Sequence, residues 1–244
     1  MNPLQSELHR LYLPLPQAPA DRVRAIVMEL ARPPAWNELA RVWHGVQDEL
    51  ALPAPAIAVS GTDGLQLWFS LAEPVPAAQG PAFLDGLRRR FLPEVAPGRV
   101  RLLQAPDASA PPSAPQALPV PACRDDEGRW SAFVAPDLAP VFDDTPWLDI
   151  PPNEEGQAAL LRGLQPIKPA AFRAALDQLG PGAPPPRTGE AAAPAASAAD
   201  AAATDDPRRF LLRVMNDESV AMALRIEAAR ALLQHPGAAP PGGG

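Results

Sequence analysis

The chain has 244 residues, of which 35 are Pro and 16 are Gly, a content that excludes a single long helix, a coiled coil and a regular repeat. Asp and Glu outnumber Lys and Arg by 28 to 21, which argues against a duplex-binding surface because such surfaces carry a clustered basic face. The single cysteine, Cys123, excludes a disulfide framework and a cysteine-based metal site. No window of 18 apolar residues occurs, so we expect a cytoplasmic protein that does not enter a membrane.

The prolines cluster, and the clusters predict how the chain is organised. We expect an α+β core over residues 1–104, a proline-rich loop over 105–121 and an extension that packs on the core over 122–180. A disordered linker over 181–204, a helical hairpin over 205–235 and a disordered tail over 236–244 should follow.

The first 104 residues carry the clearest periodicity. The predicted elements are a strand over 23–30, a helix over 35–50, strands over 56–60 and 65–71, a helix over 81–92 and a strand over 99–103. This β-α-β-β-α-β order is that of the ferredoxin-like unit, in which two helices cover one face of the sheet. The predicted fold class is therefore α+β with a ferredoxin-like core.

The strand over 65–71 alternates cleanly and so assigns its side chains to two sheet faces. Leu65, Leu67, Phe69 and Leu71 should lie under the helices. The alternate residues Gln66, Trp68 and Ser70 should lie on the open face, where ligands bind. If Arg99 and Arg101 also point to that face, they would join Trp68 in a platform for nucleic acid. The other interpretation is that the later part of the chain covers Trp68.

Beyond the core the pattern predicts a strand over 130–134 and helices over 153–164 and 169–179, the first of them capped by Asn153. The hairpin over 205–235 carries apolar residues on two sides, which so short a unit cannot bury internally. We therefore expect it to pack on the main domain, on a partner or on a second copy.

An acidic strand, a helix and a strand-turn-strand follow one another in the segments AIVMEL (25–30), WNELARVWHGVQDELALPAP (36–55) and AIAVSGTDGLQLWFSLAEPV (56–75). Their order resembles the catalytic core of archaeo-eukaryotic-type primases and primase-polymerases, over about residues 23–104. In that family, acids on the first and a later strand hold two divalent cations that bridge phosphates, and a His contacts a nucleotide phosphate.

The resemblance implies roles for particular residues of this chain. It implies catalysis by Glu29 and Asp107, with Mg²⁺ or Mn²⁺ held by Glu29 if the protein is active. It implies nucleotide or nucleic-acid binding by Ser60, Gly61, Gln66 and Trp68, whereas Arg99 and Arg101 join this set through the alternation of their strand.

The chain also departs from the family pattern. Glu29 is the only acid in its strand, Gln66 stands where the His is expected, and Asp107 lies past the last strand. The resemblance thus implies a primase-like protein with impaired catalysis that acts in DNA replication or processing by binding single-stranded DNA or a nucleotide. Residues 205–235 are similar to helical segments of phage small-terminase-like proteins, which implies a phage or bacterial mobile-element context.

Two other functions are open at this point. The first is a non-enzymatic protein-interaction or assembly module, whose 205–235 hairpin docks a partner or a second copy. The second is an active metal-dependent nucleotidyltransferase that uses Glu29 and Asp107. The stretch from Ser60 to Gly64 is also explained as a hairpin turn, in which Gly and Asp supply the required backbone angles.

Overall fold

The computed structural model describes residues 2–14, 19, 21–106, 115–124 and 128–180. The chain divides into two compact units, Met1–Thr188 and Gly189–Gly244, and all described residues belong to the first. The candidate acid Asp107 and the predicted linker, hairpin and tail lie outside the described residues.

Five α-helices and six β-strands occur in the described part of the chain, which confirms the α+β class. The helices are α1 (Pro3–Leu11), α2 (Trp36–Asp48), α3 (Gln79–Phe91), α4 (Glu154–Arg162) and α5 (Pro169–Leu179). The strands are β1 (Arg22–Ala31), β2 (Ala56–Val59), β3 (Gly64–Pro76), β4 (Val100–Gln104), β5 (Ala122–Cys123) and β6 (Trp130–Val134). None of the helices in the described ranges has the length and apolar character needed to span a bilayer.

The strands form one curled antiparallel sheet in the order β4-β1-β3-β2-β6-β5. The elements from β1 to β4 follow the predicted β-α-β-β-α-β order. The sheet nevertheless departs from the ferredoxin-like prediction, because β6 pairs with the outer side of β2, with Ile57 opposite Val134, and β5 pairs with β6. The strands of the extension thus join the sheet, and its two helices, α4 and α5, pack on the faces of the sheet.

One face of the sheet lies under α2, α3 and α5, as the alternation in β3 predicts. The inward side chains of β3, which are Leu65, Leu67, Phe69 and Leu71, are all buried there. Phe83 of α3 packs against Phe69 at 5.6 Å and against Phe172 of α5 at 5.1 Å between ring centroids. Burial of each such side chain stabilises the fold by about 1.5–3 kcal/mol.

The opposite face, predicted to be open, is a second hydrophobic core. Helix α1 and helix α4 cover it, and its buried members include Leu4, Leu11, Trp68, Phe133 and Leu161. Helix α1, absent from the sequence-based prediction, is capped by the Asn2 side chain, which accepts from the Leu4 amide at 2.8 Å. The prediction of an open ligand-binding face is therefore wrong. The later chain does cover Trp68, through Phe133 and α4, but α1 and Tyr12 at the start of the chain share in covering it.

Two arginines hold α1 and α4 against this face. Arg10 donates to the carbonyls of Leu161 and Leu164 at 2.9 and 3.0 Å, at the end of α4. Arg24 of β1 donates to the carbonyls of His9 and Leu13, both at 2.8 Å, at the end of α1. Helix ends leave carbonyls without intrahelical partners, so each guanidinium satisfies a helix end as it fixes the helix in place. Burial, and secondly the charge of Arg10, lower the pKa of Arg24.

The edge of β6 that faces away from β2 pairs with β5 only at Trp130 and Ser131. Further along this edge, at Phe133, a side chain takes the place of a neighbouring strand. Gln157 of α4 accepts from the Phe133 amide at 2.7 Å and donates to the Phe133 carbonyl at 2.9 Å. Its amide group thereby replaces the backbone of a neighbouring strand. A strand edge with free amides and carbonyls is a template for unwanted pairing, and this contact removes it at Phe133.

Replacing Gln157 should therefore destabilise the fold. Gln157→Ala leaves the buried amide and carbonyl of Phe133 without partners, and we expect a loss of about 2–3 kcal/mol in the free energy of unfolding. Gln165→Ala, at an exposed position just past α4, is the matched control and should change it little. Urea unfolding followed by circular dichroism measures the stability of both variants. Equal effects would contradict the conclusion that Gln157 closes the β6 edge at Phe133.

Candidate functional site

Three of the residues predicted to bind metal or nucleotide form a row across the sheet. Glu29 of β1 lies opposite Arg101 of β4 on one side and opposite Gln66 of β3 on the other. Because directly paired residues in antiparallel strands point to the same face, all three side chains share the face that α1 and α4 cover. Trp68, two residues further along β3, belongs to the same face.

These side chains are joined by a chain of hydrogen bonds. Arg101 donates to one carboxylate oxygen of Glu29, and the Gln66 Nε2 donates to the other at 2.5 Å. The Gln66 Oε1 accepts from the Trp68 indole at 2.8 Å. Glu29, Gln66 and Trp68 are only 4%, 2% and 3% exposed. The network therefore has its polar atoms satisfied from within the protein.

Trp68 is surrounded by aromatic side chains rather than by solvent. Its ring centroid lies 5.3 Å from that of Tyr12, edge to face, and 5.8 Å from that of Phe133. Burial raises the pKa of Tyr12. A base cannot stack on a buried indole, so the structure corrects the placement of Gln66 and Trp68 on an accessible binding surface.

Asp63 joins the network from the turn before β3, and the sequence-based prediction missed it. Arg101 donates to both of its carboxylate oxygens at 2.9 Å, and Arg32 donates to one of them at 2.8 Å. The hydrogen bond from Arg101 is the main cause that lowers the pKa of Asp63 to about 2, with Arg32 contributing. The same bond raises the pKa of Arg101. Arg101 thus bridges two carboxylates, one buried and one partly exposed.

The lowered pKa of Asp63 predicts how the stability of the fold changes at acid pH. The usual pKa of Asp is about 3.9, so the stabilisation from ionised Asp63 is complete above about pH 4 and is lost as the pH falls toward about 2. Thermal melts of Asp63→Asn between these pH values should show a weaker pH dependence than the wild type. Asp137→Asn, at an exposed site, is the control. If the melting temperature of Asp63→Asn depended on pH as strongly as that of the wild type, the stabilising role of ionised Asp63 would be contradicted.

The turn from Ser60 to Gly64, predicted to bind nucleotide through Ser60 and Gly61, uses its amides internally. The Ser60 hydroxyl accepts from the amides of Thr62 and Gly64 at 3.1 and 3.0 Å, and the Gly61 amide donates to the Pro146 carbonyl at 2.9 Å. Gly61 has φ +79°, and a Cβ there would lie 2.8 Å from the Ser131 amide nitrogen. These contacts are those of a tight hairpin turn rather than of a phosphate cradle.

Gly64 is the second glycine whose lack of a side chain matters at this site. A Cβ on Gly64 would lie 2.8 Å from Cγ of Glu29. Any side chain at the first residue of β3 would therefore displace the Glu29 carboxylate from its place across Gly64. The Gly-x-x-Gly spacing of the turn is explained by packing at both glycines.

Arg99, predicted to accompany Arg101 and Trp68, lies elsewhere. It ends a short 3-10 turn (Pro97–Arg99) before β4, forms an ion pair with Glu38 of α2 at 2.8 Å and donates to the Pro33 carbonyl at 2.7 Å. It thus contacts α2, on the other side of the sheet from Trp68. The predicted platform of Trp68, Arg99 and Arg101 is therefore not assembled.

The described residues do not fit the divalent cations that the primase resemblance implies. Both oxygens of Glu29 are taken by Arg101 and Gln66, and a guanidinium beside the carboxylate opposes a cation there. Within the described ranges, no group of three or more His, Cys, Asp and Glu side chains is placed to hold a metal ion. Mg²⁺ and Mn²⁺ require several carboxylate or carbonyl oxygens around one point.

No family model matches this sequence, and the search of curated proteins found no match either. The resemblance to primases therefore depends on the segments over residues 25–75. Two surface depressions of the described part lie away from Glu29. One is lined by residues such as Arg22 and Gln104, and the other by residues such as Trp43 and Leu160.

Proposed function

We propose that this chain is a non-catalytic protein-interaction or assembly module built on a primase-like α+β core related to the ferredoxin-like unit. The observation that carries the proposal is the state of Glu29, the residue at the position of a metal-binding acid. Both of its carboxylate oxygens bind protein groups, Arg101 and Gln66, and the residue is buried.

The ion pair of Glu29 with Arg101 argues against phosphoryl transfer at that position. Such chemistry needs carboxylates that hold cations against the phosphates of a nucleotide. Here the positive charge opposite Glu29 is a guanidinium from β4, and a second carboxylate, Asp63, binds the same guanidinium. The polar residues of the network thus stabilise the fold, which supports a protein without nucleotidyltransferase activity.

The surface charge of the extension supports protein rather than nucleic acid as the ligand. Residues 122–180 contain ten Asp or Glu residues and five Lys or Arg residues. A surface of that sign repels a phosphate backbone and attracts basic groups. Action on DNA replication and the phage or mobile-element context stay predictions from the resemblance.

Nucleotide incorporation by the full chain tests the proposal directly. With a primed single-stranded template, labelled nucleotides and Mn²⁺ or Mg²⁺, we expect no product above the level of a protein-free sample. Glu29→Gln is the matched variant, because it keeps the shape of the side chain and removes its charge. Incorporation by the wild type that is lost in Glu29→Gln would overturn the proposal and identify Glu29 as a catalytic residue.

A further inference from the structure

We draw no further inference here: the strongest candidate, the apolar groove between α2, α4 and the ends of β2 and β6, is lined by side chains such as Trp43 and Leu160, and nothing in the part of the chain that the structure describes shows what covers it.

Discussion

Trp68→Ala should destabilise the protein by about 3–5 kcal/mol, the usual cost of truncating a buried aromatic side chain. Trp68 lies at the centre of the second core, between Tyr12 and Phe133, with its indole bound to Gln66. The substitution opens a cavity and leaves the Gln66 Oε1 without its donor. Urea unfolding followed by circular dichroism measures the effect.

Trp147→Ala is the control for this prediction. Trp147 lies at the surface, where the Arg129 guanidinium stacks on its ring at 5.3 Å and its indole donates to Asp149 at 3.2 Å. The expected loss is about 1 kcal/mol. A Trp68→Ala protein that unfolds at the same urea concentration as Trp147→Ala, and has lost only affinity for single-stranded DNA, would show that Trp68 is a binding residue.

Arg101→Met should also cost about 3–5 kcal/mol, because it leaves the buried carboxylate of Glu29 without its opposite charge. Arg101 additionally binds Asp63, but that carboxylate keeps Arg32 as a partner and is partly exposed to water. Arg32→Met removes a guanidinium from the same Asp63 at a largely exposed position, where an ion pair contributes about 0–1 kcal/mol. It is therefore the matched control.

The double variant Glu29→Gln with Arg101→Met separates the buried charge from other effects. Removing both charges leaves a neutral amide beside Gln66, so most of the stability lost in Arg101→Met should return. We expect a coupling free energy of about 2 kcal/mol between the two positions. Additive losses would mean that Glu29 and Arg101 contribute to stability independently.

The sequence predicts the first face of the sheet well because the relevant pattern is local. Alternation in β3 and the helical spacing in α2 each involve residues a few positions apart, so they indicate which side chains are buried. The same pattern cannot show what covers the second face. Helix α1 contains Leu4, Leu8 and Leu11 at helical spacing, but nine residues beginning at a proline carry a weak signal. The pairing of β6 with β2 likewise joins residues far apart in the chain.

The polar network was only partly predictable for the same reason. The sequence predicts functional roles for Glu29, Gln66, Trp68 and Arg101, and the structure does bring them together. Their role differs because Arg101 is 72 residues from Glu29, and only the sheet register reveals that it neutralises the acid. Arg99 separates from the group because it precedes β4 instead of alternating within it. The sequence indicates only a turn at Asp63, and no local pattern shows that it binds Arg101.

The central claim is that Glu29, Gln66 and Trp68 lie in the interior of the protein. Its most direct test is to measure whether Trp68 contacts solvent. The five tryptophans can be labelled with 5-fluorotryptophan, and the Trp68 signal in ¹⁹F spectra is assigned by its disappearance in Trp68→Phe. We predict that this signal does not shift between H₂O and D₂O and does not move when single-stranded oligothymidylate is added. A Trp68 signal that shifts with the solvent isotope and moves on addition of the oligonucleotide would contradict a buried, non-binding network.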